Sequence, residues 1–303
     1  MTARPTGCEK GSVTDPRDAG AGLDTAFAAC AAALRAGDPD RYVACLFAPA
    51  AARGPLFALY AFSLEIASIR DRISEPMPGE IRHQWWREVL SCGAARDPGD
   101  HPVARALRHL LRRYRLPPEP FLALIEARGF DLYDDPMPTW LDLEGYCGET
   151  SSALIRLATL ILAGGEEPGS ADLCGHAGVA YAITGLLRAF PIHARRGQCY
   201  VPHEALIACG VSLEEIHAGR DSEGLRAALA AMRGRARDHL AELRRREHEL
   251  APAVRPAFLP LSLVEPYLAR MEAPDYRPFE TSIAISPLAR LFHIGRNAIR
   301  ARR

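Results

Sequence analysis

Residues 181–206 read YAITGLLRAFPIHARRGQCYVPHEAL. The apolar residues up to Leu187 follow helical rather than alternating spacing, so a helix is predicted from about Ala171 to Arg188. Pro191 lacks an N–H and is expected to end it. Upstream, Leu143 to Ala163 is a strongly apolar helical stretch closed by Gly164-Gly165. Further out, Phe62, Ile66, Ile69 and Ile73 form one helix face, with Pro76 and Pro78 expected to stop it. Helical segments are also read at 80–90, 101–114 and 121–132. Downstream, Leu225, Leu229, Met232, Leu240, Leu243 and Leu250 mark a long amphipathic helix. Another runs from Phe258 to Met271, bent by Pro260 and Pro266, and a last one from Ser286 to Arg300. No strand alternation and no repeat interrupts the series. The reading is an all-α chain with one helical domain over 23–303, after a disordered segment over 1–22 that is rich in Gly, Pro, Asp and Thr.

The 303 residues are 48% apolar, enough to bury one large core. Basic and acidic residues number 37 each, so no global field favours nucleic acid as a partner. Lys10 is the only lysine, and anion binding falls to arginine forks. The eight cysteines include no C-x-x-C pair and are read as buried reduced thiols, consistent with a cytoplasmic location. Neither a signal peptide nor a transmembrane span is read.

Three ordered segments resemble the squalene/phytoene synthase superfamily: RYVACLFAPAAARGPLFALYAF (41–62), PGEIRHQWWREVL (78–90) and the 181–206 stretch itself. The resemblance implies an isoprenoid synthase (trans-prenyltransferase) helical bundle around a central cavity. Catalytic members use two acidic clusters on facing helices to hold magnesium (Mg2+) against a diphosphate. This sequence departs from that pattern. The first cluster aligns with Ala67, Ser68, Ile69, Arg70 and Asp71, the second with Arg188, Ala189, Phe190, Pro191, Ile192 and His193. Asp71 and Glu75, four apart, are the remaining metal candidates if they share a helix face; pairing with nearby arginines is the plainer account. His193 is a poor magnesium ligand, and no partner for acid–base work is visible beside it. Asp131, Asp134 and Asp135 precede Pro136 and read as turn residues. LLRAFPIH (186–193) and SEPMPGEIRHQWW (74–86) resemble the subgroup containing the complex I assembly factor, whose aspartate-rich motifs are degenerate. That implies a pseudoenzyme working with respiratory complex I subunits, peripheral to the inner membrane and without a cofactor. The alternative is an active head-to-head prenyl diphosphate synthase with unusual magnesium ligands.

If the fold's pocket persists, Arg53, Tyr60, Arg70, Arg188, Arg195 and Arg196 are expected to surround it. Apolar walls and arginines would suit a lipid or prenyl-phosphate ligand. If the pocket has collapsed, Phe190 and Ile192 are the fillers. Trp85 and Trp86 are read as packing residues. The run Arg296 to Arg303, with Phe292 and Ile294, is a candidate for contact with an anionic membrane surface, against a solvated tail.

Overall fold

The computed structural model describes residues 16–91 and 99–300. All regular structure among the described residues is helical. Helix α1 (Pro16–Gly37) leads into α2 (Pro39–Leu46) and α3 (Ala50–Ala67). Then come α4 (Pro76–Ser91), α5 (Pro102–Arg113), α6 (Glu119–Ala127) and α7 (Trp140–Cys147). A π turn, Gly148–Ser152, joins α7 to α8 (Ala153–Leu162), and α9 spans Ala171–Arg195. After α10 (His203–Ala208) and α11 (Leu213–His217) comes the long α12 (Glu223–Arg246). A 3-10 segment, Pro252–Leu263, precedes α13 (Val264–Arg270) and α14 (Pro287–Arg300).

Local chemistry sets several starts. The Asp38 carboxylate accepts the Arg41 N–H at 3.0 Å and caps α2. Thr139 and Asp142 form a reciprocal capping box on α7. Three expectations need correction. The disorder expected through residue 22 gives way to helix from Pro16, since proline in a first turn forfeits only an N–H with no helical partner. Residues 1–15 lie outside the described residues. Pro76 and Pro78 open α4 for the same reason and do not stop the preceding helix, which already ends at Ala67, before Ile69 and Ile73. Pro191 does not end α9, which continues to Arg195. Interior proline costs about 3 kcal/mol, but Leu187, Phe190 and Ala194 are buried on either side and hold the helix together.

Helix α9 is the spine of the bundle and packs against α12, the π turn and α8. It is long and apolar enough to cross a bilayer, yet much of it is buried inside the protein. Gly178 brings it against the π turn: a Cβ there would overlap the backbone N and Cα of Ser152. Helix α1 packs on α3 and α5. Trp86 is buried and meets Phe62 edge-on at 5.2 Å, so it packs rather than lines a pocket. The cysteines at 30, 45, 147, 174 and 199 are buried free thiols; Cys8 and Cys92 lie outside the described residues.

Candidate functional site

Helix α3 ends at Ala67, where the Ser68 hydroxyl turns back to the Glu65 carbonyl. Arg70, Asp71 and Arg72 then form a single 3-10 turn and Ile73 is extended. Asp71 and Glu75 therefore share no helix face, and the paired-carboxylate expectation is corrected. Arg196, just past α9, donates from Nη1 to Asp71 Oδ1. Beside it, Arg70 Nη2 reaches Asp134 Oδ1 at 3.1 Å. Direct ion pairs thus connect the degenerate first motif with the end of α9 and the 133–135 loop. The magnesium the fold family implies finds no matching donor set: the Asp71 carboxylate is engaged by arginine and the facing motif carries no acid. Among the described residues, no group of three or more His, Cys, Asp or Glu is arranged to hold a metal.

The second motif is tied down elsewhere. Arg188 Nη1 donates to Asp40 Oδ2 at 3.1 Å, and its guanidinium lies 3.8 Å from the Tyr267 ring centre. Tyr267 donates its hydroxyl to the same Oδ2 at 2.7 Å; burial pushes that hydroxyl up to about 12, so it stays a donor. Arg290 of α14 donates to Oδ1. One buried carboxylate on α2 therefore receives two guanidiniums and a phenol, from residues up to 250 positions away. Asp38, Asp40, Tyr181, Thr184, Arg188 and Tyr267 line a cavity of about 240 Å³. That is smaller than the ~300–1,000 Å³ of ordinary small-molecule pockets. Phe190 is buried against Phe279 at 5.3 Å, whereas Ile192 is exposed and fills nothing.

A second hub surrounds Asp131, in the 3-10 turn Arg128–Leu132. Tyr146 and Tyr200 donate to its Oδ1 at 2.7 and 2.6 Å, and Arg128 to its Oδ2 at 2.9 Å. Burial, and next the adjacent carboxylate, push the Tyr200 hydroxyl up. Burial opposes the Arg128 charge, but Tyr146 and Asp131 outweigh it and raise its pKa. Asp131 does stand in a turn, as read, but its carboxylate is buried in this cluster. The His193 ring lies 4.6 Å from that of Tyr200, tilted by 51°, and burial pushes His193 down to about 4, so it is neutral near pH 7.

The remaining arginines do not ring a common pocket. Arg53 is exposed on α3 and its Nε donates to the Ala48 carbonyl at 3.0 Å. Arg195 is exposed and approaches the Phe279 carbonyl at 3.4 Å. Tyr60 is buried, and above it lies a residue the sequence reading missed, Arg41. The Arg41 guanidinium lies 5.0 Å from the Tyr60 ring centre and 4.9 Å from that of Tyr181. Asp40, Arg290, Tyr146 and Tyr200 were missed as well. Their only local signals were an acid in a helix first turn and isolated tyrosines.

This helical architecture, with its two motif regions meeting at one end of the bundle, is that of the isoprenoid synthases. The chain belongs to the squalene/phytoene synthase family, whose profile matches residues 34–298. It is 30% identical over 254 residues to NADH dehydrogenase (ubiquinone) complex I, assembly factor 6, of Bos taurus, covering 84% of this chain and 76% of that one. It is also 30% identical over 209 residues to phytoene synthase of Thermus thermophilus, covering 67% and 68%. Squalene synthase HpnC from Alicyclobacillus acidocaldarius superposes with a TM-score of 0.69 at 27% identity, over 82% of this chain and 94% of that one.

Proposed function

We propose that this chain has lost prenyl transfer and acts as an assembly factor for respiratory complex I, with complex I subunits as its partners. One observation carries the reading. Where two facing acidic clusters would sandwich metal, Asp71 is paired with Arg196 and the second motif has no carboxylate. Diphosphate departure from an allylic carbon needs cationic assistance. The arginines placed to substitute for metal at the motifs, Arg70, Arg188 and Arg196, are bound to Asp134, Asp40 and Asp71. The likeness to assembly factor 6 over most of both chains supports the assembly role. The protein works without magnesium, and its old cavity is not the seat of a prenyl-phosphate ligand.

The likeness to phytoene synthase favours the competing reading, head-to-head prenyl synthesis through other ligands. Two experiments separate them. Purified protein with magnesium and farnesyl or geranylgeranyl diphosphate is expected to release no product; robust turnover would overturn the proposal. Deleting the gene is expected to lower assembled complex I while isoprenoid levels hold, and unchanged complex I would count equally against it.

A further inference from the structure

Helix α14 divides its circumference three ways. Ile294 and Ala298 are buried in the core, and Arg290 reaches inward to Asp40. His293, Arg296, Asn297 and Arg300 line one wall of a groove. Leu288, Leu291, Phe292 and Ile299 stand in solvent, each 50 to 80% exposed. Leu46 of α2 is exposed as well, and the next residue, Phe47, lies under Gly295 of α14. The membrane contact expected of Phe292 and Ile294 together is thus corrected: they point to opposite sides, and only Phe292 is available.

The groove, about 700 Å³, runs between α12, the 3-10 segment Pro252–Leu263 and α14. Its floor is apolar, with Leu240, Leu243, Phe258 and Leu261. Its rim carries Arg244, Arg255, His293, Arg296 and Arg300 against two acids, Glu247 and Glu265. Glu265 is already held by Arg237 at 2.9 Å. Residues 281–303 contain no acid and five arginines, at 290, 296, 300, 302 and 303.

We propose that this groove binds the phosphate headgroup of an anionic phospholipid and that the exposed stripe of α14 inserts into the same membrane surface. The chemistry is complementary at both levels. Guanidinium forks pair with phosphate oxygens. The Leu and Phe side chains gain by leaving water at the acyl boundary, as in interfacial amphipathic helices. A free phosphate would satisfy the arginines but leave the stripe and the apolar floor wet. A continuous anionic surface satisfies all three, and the acid-free tail meets no repulsion there. The site lies outside the motif regions and does not rest on the assembly role.

The test uses the full-length protein with vesicles of phosphatidylcholine, with and without phosphatidylglycerol, read by co-sedimentation. Binding is expected on the anionic vesicles, weakening as salt rises. The triple variant R244Q/R296Q/R300Q is expected to bind on the order of a hundred-fold more weakly, at about five-fold per arginine. These side chains are exposed, so an unchanged melting temperature serves as the fold control. A269W, at the exposed edge of the groove, is expected to weaken binding with α14 untouched. Equal binding to both vesicle types, no binding to either, or full affinity in the triple variant or in A269W would overturn the proposal. Complex I levels are read in cells, so this test and that of the assembly role fail independently.

Discussion

Removing the charge of Asp40 without changing its shape should loosen the join between the C-terminal helix and the body of the protein. In D40N, Arg188, Arg290 and Tyr267 keep a hydrogen-bonding neighbour but lose the carboxylate that neutralises two guanidiniums. Breaking one side of a buried ion pair costs about 3–5 kcal/mol. The Arg290 side chain is 12% exposed and that of Arg188 32%, so water softens the loss toward the lower end, about 3 kcal/mol. Spread over a 303-residue unfolding entropy, that lowers the melting temperature by about 5 °C. Urea melts supply the magnitude, and hydrogen exchange locates it, with α14 amides losing protection before those of α9. A double-mutant cycle with R290Q isolates the pair and should return a coupling of about 1.5 kcal/mol or more. A loss below about 1 kcal/mol, or strictly additive single variants, would refute the idea that Asp40 joins the C-terminal helix to α2 and α9.

Further outcomes follow from the same geometry. G178A places a Cβ in the backbone of Ser152 and should sharply reduce soluble yield or cost upward of about 3 kcal/mol. G175A, on the same helix with nothing within 4 Å, should be neutral or gain up to about 1 kcal/mol, and equal melting temperatures for the two would contradict the packing account. Burial holds His193 at about 4, below its ordinary value of about 6.5, with Tyr200, Asp131, Arg196, Arg128 and Asp71 around it. The unfolded chain therefore binds the proton more readily. The contribution is complete above about pH 6.5 and lost as pH falls toward 4, at most about 3 kcal/mol; H193Q should flatten that part of a pH–stability curve. Y146F and Y200F each remove a donor from Asp131 and should cost about 1.5–3 kcal/mol singly. Their double variant should depart from additivity, and a purely additive result would separate them into independent contacts.

The helices were legible because their apolar spacing is regular and their caps are local. The family was legible because three segments carry it in order. What escaped the reading was set by distance along the chain or by packing. Pro191 obeys a local rule that its buried neighbours override. Asp40 looks like an acid in a helix first turn, and nothing nearby announces Arg290 at the other end of the chain. Asp131 stands in a segment that reads as a turn, and it is indeed in one. Its hydrogen bonds come from Tyr146, within α7, and Tyr200, just past α9. The composition held a faint clue: basic and acidic residues in equal number favour internal pairing over a ring of free cations, but they cannot say which pairs form.

The pairs at the motif ends show how this fold can close there without a bridging cation. Facing carboxylates repel unless cations lie between them, so a metal-binding bundle is strained there when empty. With the second cluster free of acids that repulsion is absent, and arginines beside the motifs supply attraction instead, as in Arg196 with Asp71 and Arg70 with Asp134. Both pairs are exposed on at least one side, and such pairs contribute only about 0–1 kcal/mol. They neutralise the opening more than they hold it. The strong attachments sit deeper, where Asp40 gathers α2, α9, α13 and α14, and Asp131 gathers its own turn, α7 and the strand-free stretch after α9. The buried hubs, with Arg188 of the second motif among them, hold the bundle closed, and the exposed pairs at the motif ends add little to that. A single acid introduced at position 196 would set repulsion against Asp71 without creating a magnesium site, because positions 188–193 still offer no carboxylate.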